Sequence, residues 1–463
     1  MLKSNFNPEN VWGRCLLLAL VYAILALIFQ WASLHFGYKR HFLNAEILIA
    51  FMVFAMGFRW LSLLIFIGAI ALELSLGLTT ILYLFDYSQI MDIAGFALEA
   101  KKSYLFFLGL LLGLTAVCFW LASHCLKKIR WKWMLATVVM LFSSQVALSS
   151  IDILHPNFSE RSDLLFGSSM HFTGEILALN ASRYKHIGAG DANYIQIQHP
   201  SAATQKLDLS HPPQRILFVV AESWGQSKSP KIVERQIQAL RDSKKIEELT
   251  LGKIHAVGAT AVGELRELCG KIPTQLNFRK ISRFEVGECM PEKLKKQGYK
   301  TIAIHGAHGV MYRRLMWYPV VGFDDMVFKE VLPDFESVQC HSFPGYCDQK
   351  LFEVILEKLT SNDKTFVYWL TLNSHTPYDE RDVVNYRVDV CDSAFEGEYN
   401  QQLCNYQNLH VQFFEGLAKL FENQSMHGVE VVVVGDHAPI FNEESSRQRF
   451  ELAEVPMLHF KVK

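Results

Sequence analysis

The chain has 463 residues, of which half are hydrophobic, and its 45 basic residues nearly cancel 46 acidic ones for a formal net charge of −1. That length exceeds one ordinary domain. The balance gives no general electrostatic reason to expect a nucleic-acid partner, since domains that bind one usually carry a basic face.

Roughly the first third of the chain is a series of long apolar runs, at about Cys15 to Phe36, Phe42 to Phe58, Trp60 to Asp86, Tyr104 to Ser123 and Trp133 to Ile153. Most approach the ~20 residues needed to cross a bilayer, and the reading is a transmembrane domain over residues 1–153 with about five spans. The second run is short and carries Asn44 and Glu46, so a four-span arrangement with a re-entrant segment stays open. No cleaved signal peptide is expected, because the first run is of spanning length and more spans follow it. The basic cluster KKIRWK, Lys127 to Lys132, is expected on the cytoplasmic side, which puts everything after the fifth span outside the cytoplasm. Lys39 and Arg40 would then lie on the outer side, against that rule. Glu73, in mid-span, is either functional or paired with another helix.

Residues 154–213, with Gly188 to Asp191 (GAGD) and a terminal HPP, read as a linker along the membrane surface. Of nine cysteines, Cys15, Cys118 and Cys125 lie in or beside the spans and six fall in the later part. The simplest reading is local bridges, Cys269 with Cys289, Cys340 with Cys347 and Cys391 with Cys404, in an oxidising compartment, with reduced buried thiols as the alternative.

From Arg215 onward, apolar strands alternate with amphipathic stretches such as PEKLKKQ after Cys289, the pattern of an α/β domain. ILFVVAES, TIAIHG, TFVYWLTLNSH and VEVVVVGDH each read as a buried strand ending in polar residues. In open α/β sheets ligands gather beyond the carboxyl ends of the strands, and these four ends carry Glu222, His305, His375 and the pair Asp436 and His437. Carboxylates and imidazoles converging on one point suggest zinc, and carboxylate oxygens also suit manganese or magnesium. The alternative for Asp436 and His437 is a hydrogen-bonded pair capping a helix. A nucleophile stands in HAVGATAVGELRELCGKIP, where Thr260 follows a glycine turn and precedes a helix; an ordinary N-cap is the other reading. Glu264, four residues on, reads as a solvated surface residue, and His305 and His308 either line the site or are satisfied structural histidines.

The series VVAESWG, GATAVGELRELCG, AIHGAHGVMYRRLMWYPVVGFDD, LTLNSHTPY and VVVVGDHAP resembles the alkaline phosphatase and sulfatase superfamily, in particular its membrane-anchored lipoteichoic acid synthase and phosphoethanolamine transferase branch. The resemblance implies an N-terminal α-helical transmembrane bundle plus a C-terminal α/β sulfatase-like domain, residues 214–463, with a mixed central sheet flanked by helices and facing outward from a bacterial inner membrane. It further implies one divalent ion, zinc or manganese, held by Glu222, Asp436 and His437 with Thr260 as nucleophile, His375 on the substrate side, and Arg314, with Arg313 as its neighbour in register, contacting phosphate. Tyr312 stands where synthases place a tryptophan. The implied reaction moves a phospho-alcohol group, phosphoethanolamine or phosphoglycerol, from a phospholipid donor to an envelope polysaccharide or lipid-linked glycan through a phosphothreonine. A phosphatase or sulfatase is the enzymatic alternative, though TAVGELR lacks the proline of the usual C/S-x-P-x-R context of sulfatases. A non-catalytic lipid sensor on the same scaffold is the third reading.

Overall fold

The computed structural model describes residues 8–36, 44–81, 102–149 except 128 and 130, 194–196, and 202–463 except 257, 274–280, 333–339, 344 and 442. They divide into two compact units, one formed before residue 150 and one from residue 194 onward.

Among the described residues the first unit has five helices: α1 (Pro8–Phe36), α2 (Ala45–Ala55), α3 (Arg59–Ile81), α4 (Lys102–Leu126) and α5 (Trp131–Ser149). Each falls within or over one of the apolar runs. Two stretches, Gly13–Ala32 and Leu105–Leu126, are long and apolar enough to cross a membrane, whereas α2 is a short apolar helix of 11 residues. Asn44 caps α2 by accepting from the Ile47 amide. Its side-chain amide nitrogen donates to Glu73 at 2.8 Å, so the buried carboxylate in α3 is paired with the N-cap of the preceding helix rather than left bare. Lys39, Arg40, Lys128, Arg130, the end of the expected fifth span and the GAGD stretch lie outside the described residues.

The second unit is built on a seven-stranded mixed sheet in the order β3-β9-β8-β2-β7-β5-β6. Its central strands are β2 (Arg215–Ala221), β8 (Val429–Gly435), β7 (Thr365–Leu370) and β5 (Lys300–His305), all parallel, with β6 (Asp325–Val327) beyond β5. On the other side β9 (Glu454–Val462) runs antiparallel to β8 and to β3 (Ile246–His255). A small antiparallel pair joins β1 (Tyr194–Gln196) to β4 (Lys271–Pro273). Strands β7 and β8 are buried at every position, and β2 at all but its first, because helices cover both faces, and this is why they read as unbroken apolar runs.

Alternation sorts their side chains into two layers. Leu217, Val219, Val431 and Val433 face α6 (Pro230–Asp242), α10 (Asp348–Thr360) and α12 (Gln401–Leu420), with Leu240, Ile355 and Phe414 in the same core. The opposite layer is aromatic: Tyr368 stacks on Phe218 at 6.3 Å and meets Tyr318 edge-on at 6.2 Å. The remaining helices that matter to the site are α7 (Thr260–Cys269), α8 (Met290–Lys296), α9 (Arg314–Val321) and α11 (Val388–Phe395). The expected helix after Cys289 is α8. All three expected bridges are present, Cys269–Cys289, Cys340–Cys347 and Cys391–Cys404, while Cys15, Cys118 and Cys125 are buried free thiols.

Much of the expected linker, 154–213, lies outside the described residues. Its described end packs on the α/β unit, where the Ala203 and Thr204 amides donate to Glu267 at 2.8 and 3.2 Å.

The carboxyl ends of β2 and β8 are forced together by the absence of a side chain at Gly435. A Cβ there would lie 1.8 Å from the Trp224 carbonyl oxygen, and one at Gly225 would lie 2.2 Å from Pro439 Cδ. Gly435→Ala therefore has to push backbone against backbone. Urea unfolding of the protein should show the domain destabilised by at least about 1–3 kcal/mol, and an unchanged midpoint would contradict the close approach.

Candidate active site and metal centre

Four neighbouring parallel strands end on the same edge of the sheet, and each delivers polar residues there. Beyond β2, Glu222 is fixed through its backbone: its amide donates to Thr371 Oγ1 at 2.9 Å and its carbonyl accepts from Ser374 Oγ at 2.6 Å. Ser223 then turns through a left-handed conformation, φ 57°, and aims its amide at Asp436 Oδ1, 2.7 Å away. The His437 amide donates to the same oxygen at 2.7 Å. Asp436 Oδ2 is left buried without a hydrogen-bond partner. His437 donates from Nδ1 to the Ala438 carbonyl at 2.9 Å, which turns Nε2 toward the carboxylates, 3.4 Å from Glu222 Oε1 and 3.4 Å from Asp436 Oδ2.

Thr260 completes the cluster. The N-cap of α7 is Ala259, so Thr260 is the first residue of the helix and not its cap. Its hydroxyl donates instead to Glu222 Oε2 at 3.0 Å and lies 3.5 Å from His437 Nε2. All of these side chains are buried.

Glu222, Asp436 and His437 offer ligand atoms that all lie within 4.8 Å of one another. Two carboxylates, one imidazole nitrogen with its other nitrogen hydrogen-bonded, and an orphaned buried oxygen form a donor set that fits a divalent cation such as zinc or manganese. A buried oxygen without a partner is costly in protein alone, and an ion at this point would satisfy it. The other cluster of metal-binding residue types among the described residues contains Cys340 and Cys347, whose sulfurs are bonded to each other.

The charges are tightly interdependent. Burial presses Glu222 toward its neutral form, but the hydrogen bond and charge of His437, with the charge of His375, hold the carboxyl well below the usual range. Burial and the adjacent Glu222 push Asp436 up to about 7. Burial disfavours the His437 cation, yet Asp436 and Glu222 outweigh it and raise the imidazole to about 10.

The other expected site residues are distributed around this centre. His375, after β7, has Nδ1 2.6 Å from the Thr376 carbonyl and its ring 4.7 Å from that of Phe343. His305 ends β5, is buried, and donates from Nδ1 to Leu370 O at 3.0 Å; burial and the Arg314 charge lower it to about 3. His308 sits apart, half-buried, with Nδ1 3.5 Å from Glu330. Arg313 is half-buried in a left-handed conformation, φ 55°. Arg314 is wholly buried against Glu264, to whose Oε2 its Nε and Nη2 donate at 3.0 and 2.8 Å. Its guanidinium also lies 5.2 Å from the Tyr312 ring centre.

Glu264 is thus no surface residue. It is 0% exposed, and its Oε1 accepts from the hydroxyls of Tyr318 and Tyr368 while Oε2 takes Arg314. The expectation failed because α7 is buried on every side, from Thr260 to Leu268, so no face of it is a solvent face. Arg266 was missed for the same reason. It donates from Nη2 to Gly435 O at 3.0 Å and from Nη1 to Asp436 O at 3.3 Å, with Glu267 as its partner at 2.8 Å. Two further residues act behind the cluster: Tyr406 accepts from the Gly225 amide at 3.3 Å and Tyr378 from the Ile440 amide at 3.1 Å. The signal for Arg266 was an Arg-Glu pair inside an otherwise apolar LREL run; the two tyrosines carried no local signal.

The family profile described as Sulfatase matches residues 214–458, more than half of the chain. The chain belongs to the sulfatase family. No curated protein matches the chain. Among solved structures, it is similar to a protein of the alkaline phosphatase superfamily from Vibrio parahaemolyticus, with 18% identity, a TM-score of 0.41, and coverage of 54% of this chain and 60% of the Vibrio protein's length. The lipoteichoic acid synthase LtaP from Listeria monocytogenes aligns at 16% identity and a TM-score of 0.40, over 61% of this chain and 71% of its own. The lipooligosaccharide phosphoethanolamine transferase EptA from Neisseria meningitidis aligns at 14% identity and a TM-score of 0.36, over 86% of this chain and 68% of its own.

The raised values of His437 and Asp436 give this sulfatase-family site a pH signature. Each must lose its proton before it ligates, so cation binding is opposed by protons below those values and favoured above them. Zinc or manganese affinity should rise from about pH 6 to about pH 9 with net proton release, read by calorimetry in two buffers of different ionisation enthalpy. A flat affinity without proton release would contradict the cluster as a ligand set.

Proposed function

We propose that the protein transfers a phospho-alcohol group, phosphoethanolamine or phosphoglycerol, from a membrane phospholipid to an envelope polysaccharide or lipid-linked glycan, through a phosphothreonine on Thr260. The observation that carries this reading is the Thr260 hydroxyl, 3.0 Å from Glu222 and 3.5 Å from His437, in a cluster whose Asp436 Oδ2 has no hydrogen bond. In this reading Glu222, Asp436 and His437 hold one zinc or manganese ion with Thr260 beside it. A bound ion there supplies positive charge that favours the ionised hydroxyl and offsets charge on the phosphoryl oxygens.

The residues of the chain do the rest. The hydrogen bond to Glu222 and the β-branched side chain hold Thr260 Oγ1 in one orientation, aimed away from its own helix. Oγ1 gives up its proton along its hydrogen bond to Glu222 and bonds to the headgroup phosphorus as the bond to the diacylglycerol oxygen breaks, and His375 gives that oxygen its proton. His375 then takes the proton of the glycan hydroxyl, whose oxygen bonds to phosphorus as the bond to Thr260 Oγ1 breaks and Oγ1 takes its proton back from Glu222. Arg314, locked against Glu264, sets a positive charge beside His305 that adds to the charge stabilisation.

A lipid donor suits the division of the chain. In this proposal residues 1–153 form a multi-pass transmembrane domain of about five spans, 154–213 a membrane-surface linker, and 214–463 an extracytoplasmic catalytic domain at a bacterial inner membrane. Two apolar helices of spanning length and three disulfides support it. A reporter active only outside the cytoplasm should therefore work when fused after Lys463, and activity of a cytoplasm-only reporter at that position would overturn the orientation.

The chemistry is tested with the full chain and a fluorescent phospholipid, following diacylglycerol release and acceptor labelling. Thr260→Ala should lower release by on the order of 100-fold or more while zinc still binds, because three protein ligands remain. Asp436→Ala should lose zinc affinity and release together. Release without transfer to any glycan would favour a hydrolase of the same family, and undiminished release by Thr260→Ala would remove the covalent route.

A further inference from the structure

We propose that the disulfide loop from Cys340 to Cys347 is a clamp whose Phe343 ring positions the His375 imidazole, an assignment that rests on the transfer reading above. Within its own turn His375 is held by its amide, which donates to Leu372 O at 3.1 Å, and by Nδ1, 2.6 Å from the carbonyl of the very next residue, Thr376. The Phe343 ring lies against the imidazole at 4.7 Å and an angle of 50°, closing off one side. Phe343 is itself half-buried and belongs to neither β7 nor any helix. What holds it is therefore the question.

The chain is gripped on both sides of Phe343. Before it, the buried Asp382 carboxylate accepts from the His341 amide at 2.6 Å, the Ser342 amide at 2.8 Å and the Ser342 hydroxyl at 2.7 Å. After it, the Cys340 amide donates to Gly345 O at 2.9 Å and the Tyr346 amide to Gly306 O at 2.8 Å, one residue beyond His305. The loop presses on the strand ends so closely that a Cβ on Gly345 would lie 2.7 Å from the Gly306 oxygen and 2.5 Å from Leu372 Cδ2. Asp348, next to Cys347, accepts from the amides of Leu372 at 3.0 Å and Asn373 at 2.8 Å. The bridge thus joins the two ends of a segment that is already tied to β5, to the turn after β7 and to Asp382, and the ring that emerges from it has little freedom. A supporting shell of this kind matters because a displacement of about 1 Å at a reacting group can cost on the order of 100-fold in rate.

The test uses the full-length protein in detergent micelles with a fluorescent phospholipid, measuring kcat and KM for diacylglycerol release and zinc affinity by chelator competition. Phe343→Leu, which keeps an apolar side chain but no ring, should lower kcat by about 10-fold or more with KM and zinc affinity unchanged. Phe343→Tyr should restore most of the rate. The double variant Cys340→Ser, Cys347→Ser should lose kcat as Phe343→Leu does. In a His375→Ala background, Phe343→Leu should add no further loss, since the two act as one unit. Wild-type kcat in Phe343→Leu, equal damage by Tyr and Leu, independent losses in the His375→Ala background, or a matching fall in zinc affinity would overturn the assignment. A wild-type protein that releases no diacylglycerol would instead overturn the transfer reading and take this assignment with it.

Discussion

The buried contact between two carboxylates, Glu222 and Asp436, and the His437 imidazole is the constraint around which the α/β unit is arranged. Bringing like charges together away from water is unfavourable by several kcal/mol per ion unless something of opposite sign stands between them. The fold supplies part of that compensation from backbone amides, two of which point at Asp436 Oδ1, and part from the imidazole, whose Nε2 faces both carboxylates at 3.4 Å. Asp436 Oδ2 keeps only that ion pair and has no hydrogen bond. The donor set left in this way fits a cation.

The cluster's geometry depends in turn on α7. From one turn to the next this helix presents Thr260 to Glu222, Gly263 to Asp436, Glu264 to Arg314 and Arg266 to the carbonyls of Gly435 and Asp436. A Cβ on Gly263 would come within 3.1 Å of Asp436 Cβ, so the glycine lets the helix lie directly on the strand end. Its two buried ion pairs, Arg266 with Glu267 and Arg314 with Glu264, are weak as sources of net stability but strong as constraints. Removing one partner strands a charge in the interior, at a cost of about 3–5 kcal/mol. They thereby oblige α7, α9 and β8 to keep their mutual register.

The strands were legible because their chemistry is local: unbroken apolar runs can only be covered on both faces, and the polar residue that ends each run marks the edge where ligands collect. Glu222, Asp436, His437 and His375 were found that way, and Thr260 from the glycine turn before its helix. The bridges were legible because each pairs near neighbours in sequence. Glu264 and Arg266 were not, since a charged residue on a helix normally marks its wet side, and only the sheet, the aromatic layer and β8 together make α7 dry all round. The same limit applies to the helical unit. Glu73 invited a partner, but which helix supplied it depended on Asn44, the residue that, with Glu46, also left its own run open as a re-entrant segment.

Arg314 shows why the burial of a residue and its part in chemistry have to be weighed together. Its guanidinium is sealed against Glu264 along one edge, and the pair as a whole is nearly neutral, so it attracts an anion far less than a free arginine would at long range. What the pair retains at short range is direction. The cation is displaced from the carboxylate, with its charge acting on His305, which burial and Arg314 together hold neutral. A neutral His305 with Nδ1 committed to Leu370 leaves Nε2 as an acceptor rather than a competing cation. The same pairing fixes the guanidinium in place, because turning it toward any ligand would strand the buried Glu264 carboxylate in the interior.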